Sequence, residues 1–336
     1  MTMQKVPVPK VPVLVTGGAG YIGSHAVLAL RAEGWDVTVL DNLSTGSRDA
    51  IPAGVDLIVG NIEDPATVGP LLAERSIAAI LHFAGSIVVP ESVADPIKYY
   101  RNNTLASLSL IASAVAAGVR HIVFSSTAAV YGAAEQVPVR EGDPLVPINP
   151  YGASKLMTEQ MLADVSAAEG FNYAALRYFN VAGADPQGRS GQRGVGATHL
   201  LKVACEAALG KRDGISVFGT DYPTPDGTCI RDYIHVSDLA DAHVRVLEAL
   251  IADPAQSHIL NCGYGRGFSV LELLDALDRV NGTPVPRVLG PRRPGDPQRL
   301  ISSPQRLIDE TGWTPKRNDL ELIIADALAW ERRLPA

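Results

Sequence analysis

Tyr151 and Lys155 stand four positions apart in Asn149-Pro150-Tyr151-Gly152-Ala153-Ser154-Lys155-Leu156, at the start of a helix-prone run. That spacing puts both side chains on one helical face, within reach of the same small object. A phenol beside an ammonium is a proton-transfer pair. The positive charge favours the phenolate and should lower a pKa that starts near ~10. A lone Tyr-x-x-x-Lys arises by chance on many helices, and here it gains meaning from what opens the chain. The apolar run in Val13-Leu14-Val15-Thr16-Gly17-Gly18-Ala19-Gly20-Tyr21-Ile22-Gly23 reads as a buried parallel strand. It feeds Gly17, Gly20 and Gly23, then the helical pattern Ser24 to Glu33. The first glycine allows a tight turn, the second lets backbone approach a pyrophosphate, and the third lets helix pack on strand. The helix N-terminus then faces the phosphates. A second strand ends at Asp41. Its carboxylate can accept from an adenosine ribose and would repel a 2′-phosphate, which favours NAD over NADP.

Phe124-Ser125-Ser126-Thr127 ends a further strand, and hydroxyls at the tip of a sheet can hydrogen-bond a sugar. Taken together, the G-x-x-G-x-x-G turn, Ser125-Ser126-Thr127 and Tyr151-x-x-x-Lys155 resemble the extended short-chain dehydrogenase/reductases. Other segments narrow the resemblance to their UDP-glucose 4-epimerase branch. These are Gly17 to His25, Asp41-Asn42-Leu43, His82-Phe83-Ala84-Gly85, Arg177-Tyr178-Phe179-Asn180 and Gly227-Thr228-Cys229-Ile230-Arg231-Asp232-Tyr233-Ile234-His235. The likeness runs from about Val13 to about Trp330.

The resemblance implies catalysis by Thr127, Tyr151 and Lys155. It implies NAD contacts from Gly17, Gly20, Tyr21, Ile22, Gly23, Asp41, Asn42, Leu43, Ser44, Thr45, Gly46, Asn61, Ile62, Phe83, Ala84, Gly85, Ile87, Asn102, Ser125, Tyr151, Lys155 and Phe179. For a UDP-sugar it implies Thr127, Tyr151, Asn180, His199, Leu200, Val217, Phe218, Arg231, Arg293, Asp296 and Leu300. Arg231 and Arg293 would grip the diphosphate bidentately. Asp296 would accept from the nucleotide ribose, Val217 and Phe218 would meet uracil, and Phe179 would wall the nicotinamide pocket. Three positions depart from the pattern. Asn61 stands where the family usually has Asp, keeping a carbonyl acceptor for adenine without the charge. Ile87 stands where some members have Lys, which removes one phosphate contact. Leu300 takes the place of a Tyr that narrows the sugar pocket in some members, leaving more room near the C2 substituent.

The implied reaction is reversible inversion at C4 of UDP-glucose and UDP-galactose through a 4-keto sugar, with NAD retained as a catalyst. UDP-N-acetylhexosamine or UDP-pentose 4-epimerisation is the nearest alternative. Dehydration would need an additional acid and base after Thr127, and Ala128-Ala129 offers only methyl groups there. A net oxidoreductase acting on a small alcohol would have no use for a diphosphate clamp. A dinucleotide sensor without activity would have no use for Thr127, Tyr151 and Lys155 together.

The elements that must position these residues alternate strand and helix through the first half, which predicts an α/β fold. Strands are expected at Val11–Thr16, Asp36–Leu40, Asp56–Val59, Ala79–Phe83, His121–Ser125 and Tyr173–Tyr178. Helices are expected near Tyr21–Glu33, Pro65–Arg75, Tyr99–Ala117 and Pro150–Ala168. This is a Rossmann-type doubly wound parallel sheet, with its site in the cleft at the strands' carboxyl ends. After Asn180, loops rich in Gly, Pro and Asp, such as Ala184–Gly196 and Asp221–Gly227, suggest a smaller α/β substrate-binding lobe. An NAD lobe is therefore placed at 1–180 and a UDP-sugar lobe at 181–336, with the chain recrossing a soft boundary. The resemblance also implies a homodimer through the helices near 99–117 and 150–168.

The 336 residues are 46% apolar and 19% charged, ordinary for a globular enzyme. A net charge of −7 without runs of like charge argues against nucleic acid as a partner. Cys205, Cys229 and Cys262 are odd in number and far apart, so neither a disulfide framework nor a metal site is expected. Reduced thiols suit a cytoplasm. Met1 to Lys10 lacks the apolar core of a leader and reads as an extended lead-in, and no stretch approaches the ~20 apolar residues of a membrane span.

Overall fold

A computed structural model of the protein describes residues 8–194, 198–293 and 296–335. Most of the N-terminal lead-in, the end of the loop after Ala184 and the Pro294-Gly295 step of the arginine motif lie outside the described residues. In chain order the first half runs β1 (Val13–Thr16), α1 (Tyr21–Ala32), β2 (Val37–Asp41), β3 (Asp56–Val59), α2 (Pro65–Glu74), β4 (Ala79–His82), α3 (Val89–Ala94), α4 (Pro96–Tyr99), α5 (Ala106–Ala116), β5 (His121–Ser125), α6 (Pro150–Glu169) and β6 (Asn172–Tyr178). The remainder runs β7 (Asn180–Ala182), α7 (Leu200–Ala208), β8 (Ile215–Phe218), β9 (Ile230–His235), α8 (Val236–Ala252), β10 (His258–Cys262), β11 (Gly267–Ser269), α9 (Val270–Asn281), β12 (Arg287–Gly290), β13 (Arg299–Leu300), α10 (Gln305–Thr311) and α11 (Leu320–Glu331).

Seven parallel strands form the main sheet in the order β10-β6-β5-β4-β1-β2-β3. The order reverses between β1 and β4, where doubly wound sheets open their ligand crevice. Both faces of the inner strands are covered, which is why β1, β2, β4, β5 and β6 are buried along their whole length. Alternate residues feed opposite layers. Val13 and Val15 face α1 and α8 through Val27, Leu30, Leu239 and Leu247. Leu14 faces α2, α5 and α6 through Leu71, Leu110 and Leu162. The segment from 236 to 262 belongs to this body, since α8 packs on α1 and β10 pairs with β6.

A second core gathers α7, α9 and α11 around Val217, Tyr233, Leu273 and Ile324. Its strands are a four-stranded set, in which β9 pairs with β7, β11 and β13, and the pair β8–β12. Among the described residues, no helix is long and apolar enough to cross a membrane.

The helix expected over 99–117 is interrupted. Residues Tyr100–Leu105 form a π-helical turn between α4 and α5. The Ser107 hydroxyl donates to the Asn103 carbonyl, as does Thr158 Oγ1 at 3.2 Å. Side-chain donors at that carbonyl widen the turn.

Candidate active site

The chemistry-bearing residues converge at the carboxyl ends of β1, β2, β4, β5 and β6. Helix α6 presents the phenol and the ammonium. Asn149 caps it by accepting from the Gly152 N–H at 2.9 Å, and Pro150 occupies its first turn. Gly152 sits so close to the turn after β5 that a Cβ there would lie 2.6 Å from the Ala129 carbonyl oxygen. That turn, Ala128–Tyr131, is itself capped by Thr127, whose Oγ1 accepts from the Ala129 N–H at 3.1 Å. The start of α6 and the Thr127 turn are thus fitted together through a residue with no side chain.

Tyr151 meets the ring of Tyr99 edge-on, with centroids 6.4 Å apart. Lys155 is buried, donates from Nζ to the Ser125 carbonyl at 2.9 Å and lies 4.9 Å over the Phe124 ring. Burial pushes the Lys155 ammonium down to about 8. The lowered phenol expected from Lys155 is not what this arrangement produces. Burial raises the Tyr151 pKa above its ordinary value, and the neighbouring Thr127 hydroxyl pulls the other way. The ammonium is turned toward the β5 carbonyl, so desolvation dominates at the phenol.

The glycine turn fits a dinucleotide. Gly17 has φ +70°, and a Cβ there would lie 2.6 Å from the Ala84 backbone nitrogen. Gly23 packs with its Cα toward the Gly17 carbonyl, which an added Cβ would approach to 2.2 Å. Gly20, by contrast, has only the Gly17 carbonyl near its Cβ position, at 3.2 Å. It also begins α1 without a side-chain cap, so the first N–H groups of the helix are available to an anion. Asp41, nearly buried, accepts from the N–H groups of Ala19 at 2.9 Å and Leu43 at 2.8 Å. The second bond holds Leu43 at φ +59°. The loop from Asp41 to Gly46 folds back on the glycine turn, with Gly46 against Ala19 and Ser44 and Thr45 exposed. Phe83-Ala84-Gly85 flank the turn on its other side, and Phe83 stacks 4.7 Å from His243.

Several of the expected residues also have partners within the protein. The Tyr21 hydroxyl donates to the Gly183 carbonyl at 2.6 Å, tying α1 to the second lobe, and Ile22 leans into the core. The Asn61 amide oxygen, expected to meet adenine, accepts from Asn42 Nδ2 at 2.8 Å, and Ile62 is buried in the core. Asn102 donates to Ser86 Oγ at 3.1 Å, and Ile87 is exposed. The Ser125 hydroxyl is paired with the Tyr178 hydroxyl.

In the second lobe, Arg231 is ion-paired with Asp296 and donates to the Ile230 carbonyl at 2.8 Å. Two residues expected to grip different parts of a nucleotide therefore grip each other. Arg293 stacks 3.8 Å over the Phe218 ring. Val217 is fully buried in the second core. Next to it, Phe218 is only half-buried. His199 precedes Leu200 at the start of α7, bonds Gln192 at 2.5 Å and lines a small cavity with Tyr21 and Trp330. Leu300 packs with Phe179, Val139 and Tyr131, and Asn180, next after Phe179, begins β7.

Asn103, absent from the sequence expectations, organises the site. Its Oδ1 accepts from the Ser86 N–H at 2.7 Å, while Nδ2 donates to the Ser86 carbonyl and Ser154 Oγ, both at 3.0 Å. It fastens the loop after β4 to α6 one residue from Lys155. The only sequence signal was an amide beside Asn102 in a helix-prone run.

Residues 13–263 match the model of the NAD dependent epimerase/dehydratase family. The UDP-glucose 4-epimerase of Azospirillum brasilense is 56% identical over 99% of this chain and 95% of its own. The crystal structure of the UDP-glucose 4-epimerase from Brucella ovis in complex with NAD is 43% identical, with a TM-score of 0.92 over 95% of this chain and 98% of that one. The UDP-Glc/GlcNAc 4-epimerase of Campylobacter jejuni is 46% identical, with a TM-score of 0.84 over 96% of this chain and 100% of that one.

Proposed function

The chain belongs to the NAD dependent epimerase/dehydratase family, and from that premise we propose that it interconverts UDP-glucose and UDP-galactose by inverting carbon 4 of the hexose. The observation that carries this reading is the meeting of Thr127, Tyr151 and Lys155 at the edge of the sheet that also presents the glycine turn. NAD is the cofactor, held by the Gly17–Gly23 turn, the uncapped start of α1 and the Asp41 carboxylate. When bound, it supplies the acceptor and then the donor of the C4 hydride.

The protein's own residues handle the proton and the placement. Tyr151, as phenolate, takes the proton of the 4-hydroxyl and returns it to the same oxygen after the sugar has turned over; the positive charge of a bound nicotinamide would offset the rise that burial alone gives the phenol. Thr127 shares that oxygen and holds it in line. Lys155, in a water-poor position, keeps a positive charge close to the transfer, where it acts more strongly than in water. The methyl groups of Ala128 and Ala129 cannot expel water from the sugar, so inversion is the outcome. The UDP portion is held by Asn180, Phe218, Arg231 and Arg293. Arg231 has N–H groups beyond those given to Asp296 and the Ile230 carbonyl, because a guanidinium carries five. The hexose is held loosely enough to rotate.

Residues 1–180 make the NAD lobe and 181–336 the sugar lobe, with the chain crossing back through α8 and β10. The enzyme is a homodimer through the face built by α3 to α6, and it is cytoplasmic, in keeping with three free buried cysteines. Leu300 supports a second, slower activity on UDP-N-acetylglucosamine, since it carries no hydroxyl or ring to crowd the C2 substituent.

Heat-released nucleotide from the purified protein, identified by mass spectrometry, tests the cofactor assignment. NAD is expected. Finding mainly NADP would overturn the role given to Asp41.

A further inference from the structure

The residues Tyr151, Lys155 and Glu159 recur every fourth position on the inner face of α6. The mechanism uses the first two. Glu159 is 4% exposed, and Arg177 of β6 forks onto it with contacts of 2.6, 3.0 and 3.2 Å. The same carboxylate receives the hydroxyl of Ser126. Arg177 is fixed from behind by the Tyr131 hydroxyl at 3.0 Å and the Glu141 carbonyl at 3.2 Å, and Tyr131 in turn donates to Asn261 at 2.7 Å. Helix α6 therefore grips the tip of β5 at two consecutive residues. Lys155 holds the Ser125 carbonyl and Glu159 holds the Ser126 side chain, and the next residue is Thr127.

A buried ion pair is weak ground for stability, because desolvating both partners offsets most of the attraction. Its geometric effect is strong, because a satisfied buried network admits one arrangement. We propose that Glu159 is a positioning residue for the epimerisation: locked by Arg177, it anchors Ser126 and so sets Thr127 and the Ser125 carbonyl against Tyr151 and Lys155. This rests on the proton-transfer role given above to Tyr151 and Thr127. Displacing a reacting group by ~1 Å can cost ~100-fold in rate, so a loosened β5 tip should slow turnover while binding is preserved.

The test compares wild type, Ser126→Ala, Glu159→Asp and the double variant in UDP-galactose turnover. Bound NAD and thermal midpoint are measured on each. Ser126→Ala removes the link and leaves the Glu159–Arg177 pair whole, which guards against misfolding. Glu159→Asp keeps the charge for Arg177 and shortens the reach to Ser126. We expect each single variant to lose ~10-fold to ~100-fold in kcat with KM unchanged, and Ser126→Ala to keep its NAD and thermal midpoint. The double variant should be no slower than the slower single, because both changes break one link. The proposal is overturned if Ser126→Ala turns over within twofold of wild type. It is overturned equally if its loss is matched by lost NAD or a lowered midpoint, which would make the network structural only. A wild type that converts no UDP-galactose would remove the functional reading and this proposal together. Turnover by wild type matched by Ser126→Ala would remove this proposal alone.

Discussion

Among single residues, one oxygen atom, that of the Tyr151 phenol, carries the proton transfer. Tyr151→Phe removes the phenol and leaves the ring against Tyr99, so packing and NAD binding should be retained. Turnover should fall by ~10²–10⁴, the usual effect of losing a general base. Wild-type rates from a steady-state assay of that variant would refute the assignment. Lys155 lies on α6 with Tyr151, as its spacing predicts. The spacing places it on the face of Tyr151, but its ammonium is directed to Ser125, and burial governs the phenol. Leu300 carries the least conventional expectation. It packs on Phe179, Val139 and Tyr131 and itself carries neither ring nor hydroxyl. Wild type should therefore show some UDP-N-acetylglucosamine epimerisation, below that on UDP-glucose, and Leu300→Tyr should abolish it while sparing the hexose. Equal ratios for the two sugars before and after substitution would show that Leu300 is not the gate, as specificity built on exclusion requires a change.

At the scale of elements, the β1–α1 turn bears the tightest constraint. A Cβ on Gly23 would lie 2.2 Å from the Gly17 carbonyl, a backbone atom that can move only if the turn moves. Gly23→Ala should reduce bound NAD sharply and lower the thermal midpoint, with a stability loss of ~1–3 kcal/mol typical of overpacking. A variant that purifies with full NAD would contradict the close packing of α1 on β1. This turn was legible in the sequence because its signal is local: an apolar run, three glycines and an acid, in order. The strand and helix alternation before Asn180 was legible for the same reason. Three features were not. Strand β10, His258-Ile259-Leu260-Asn261-Cys262, is a short mixed run that acquires its identity only by pairing with β6. The π-helical turn depends on Asn103, whose partners at Ser86, Ser154 and Thr158 are remote in the chain. The Arg231–Asp296 pair was hidden because a guanidinium suited to a diphosphate is equally suited to a carboxylate.

At the scale of the whole molecule, an apolar surface crosses four neighbouring elements. Val93 of α3, Ile97 of α4, Leu105 of the π-helical turn and Met157 of α6 are exposed, with Ile97 at 69%. Those elements pack on one another, so the residues form one face. Its expected occupant is the same face of a second copy, related by two-fold symmetry. Ile97→Asp with Leu105→Asp should halve the mass measured by light scattering, and an unaltered dimer mass would place the interface elsewhere. The central claim concerns the sum of these parts: the hydride leaves C4 of the sugar and returns to it, with nothing consumed. Purified protein mixed with UDP-galactose carrying deuterium at C4, with no NAD added, tests that most directly. UDP-glucose that retains deuterium at C4 is expected, with no accumulation of reduced cofactor. Absence of UDP-glucose, or product that has lost the label while reduced cofactor accumulates, would contradict that claim.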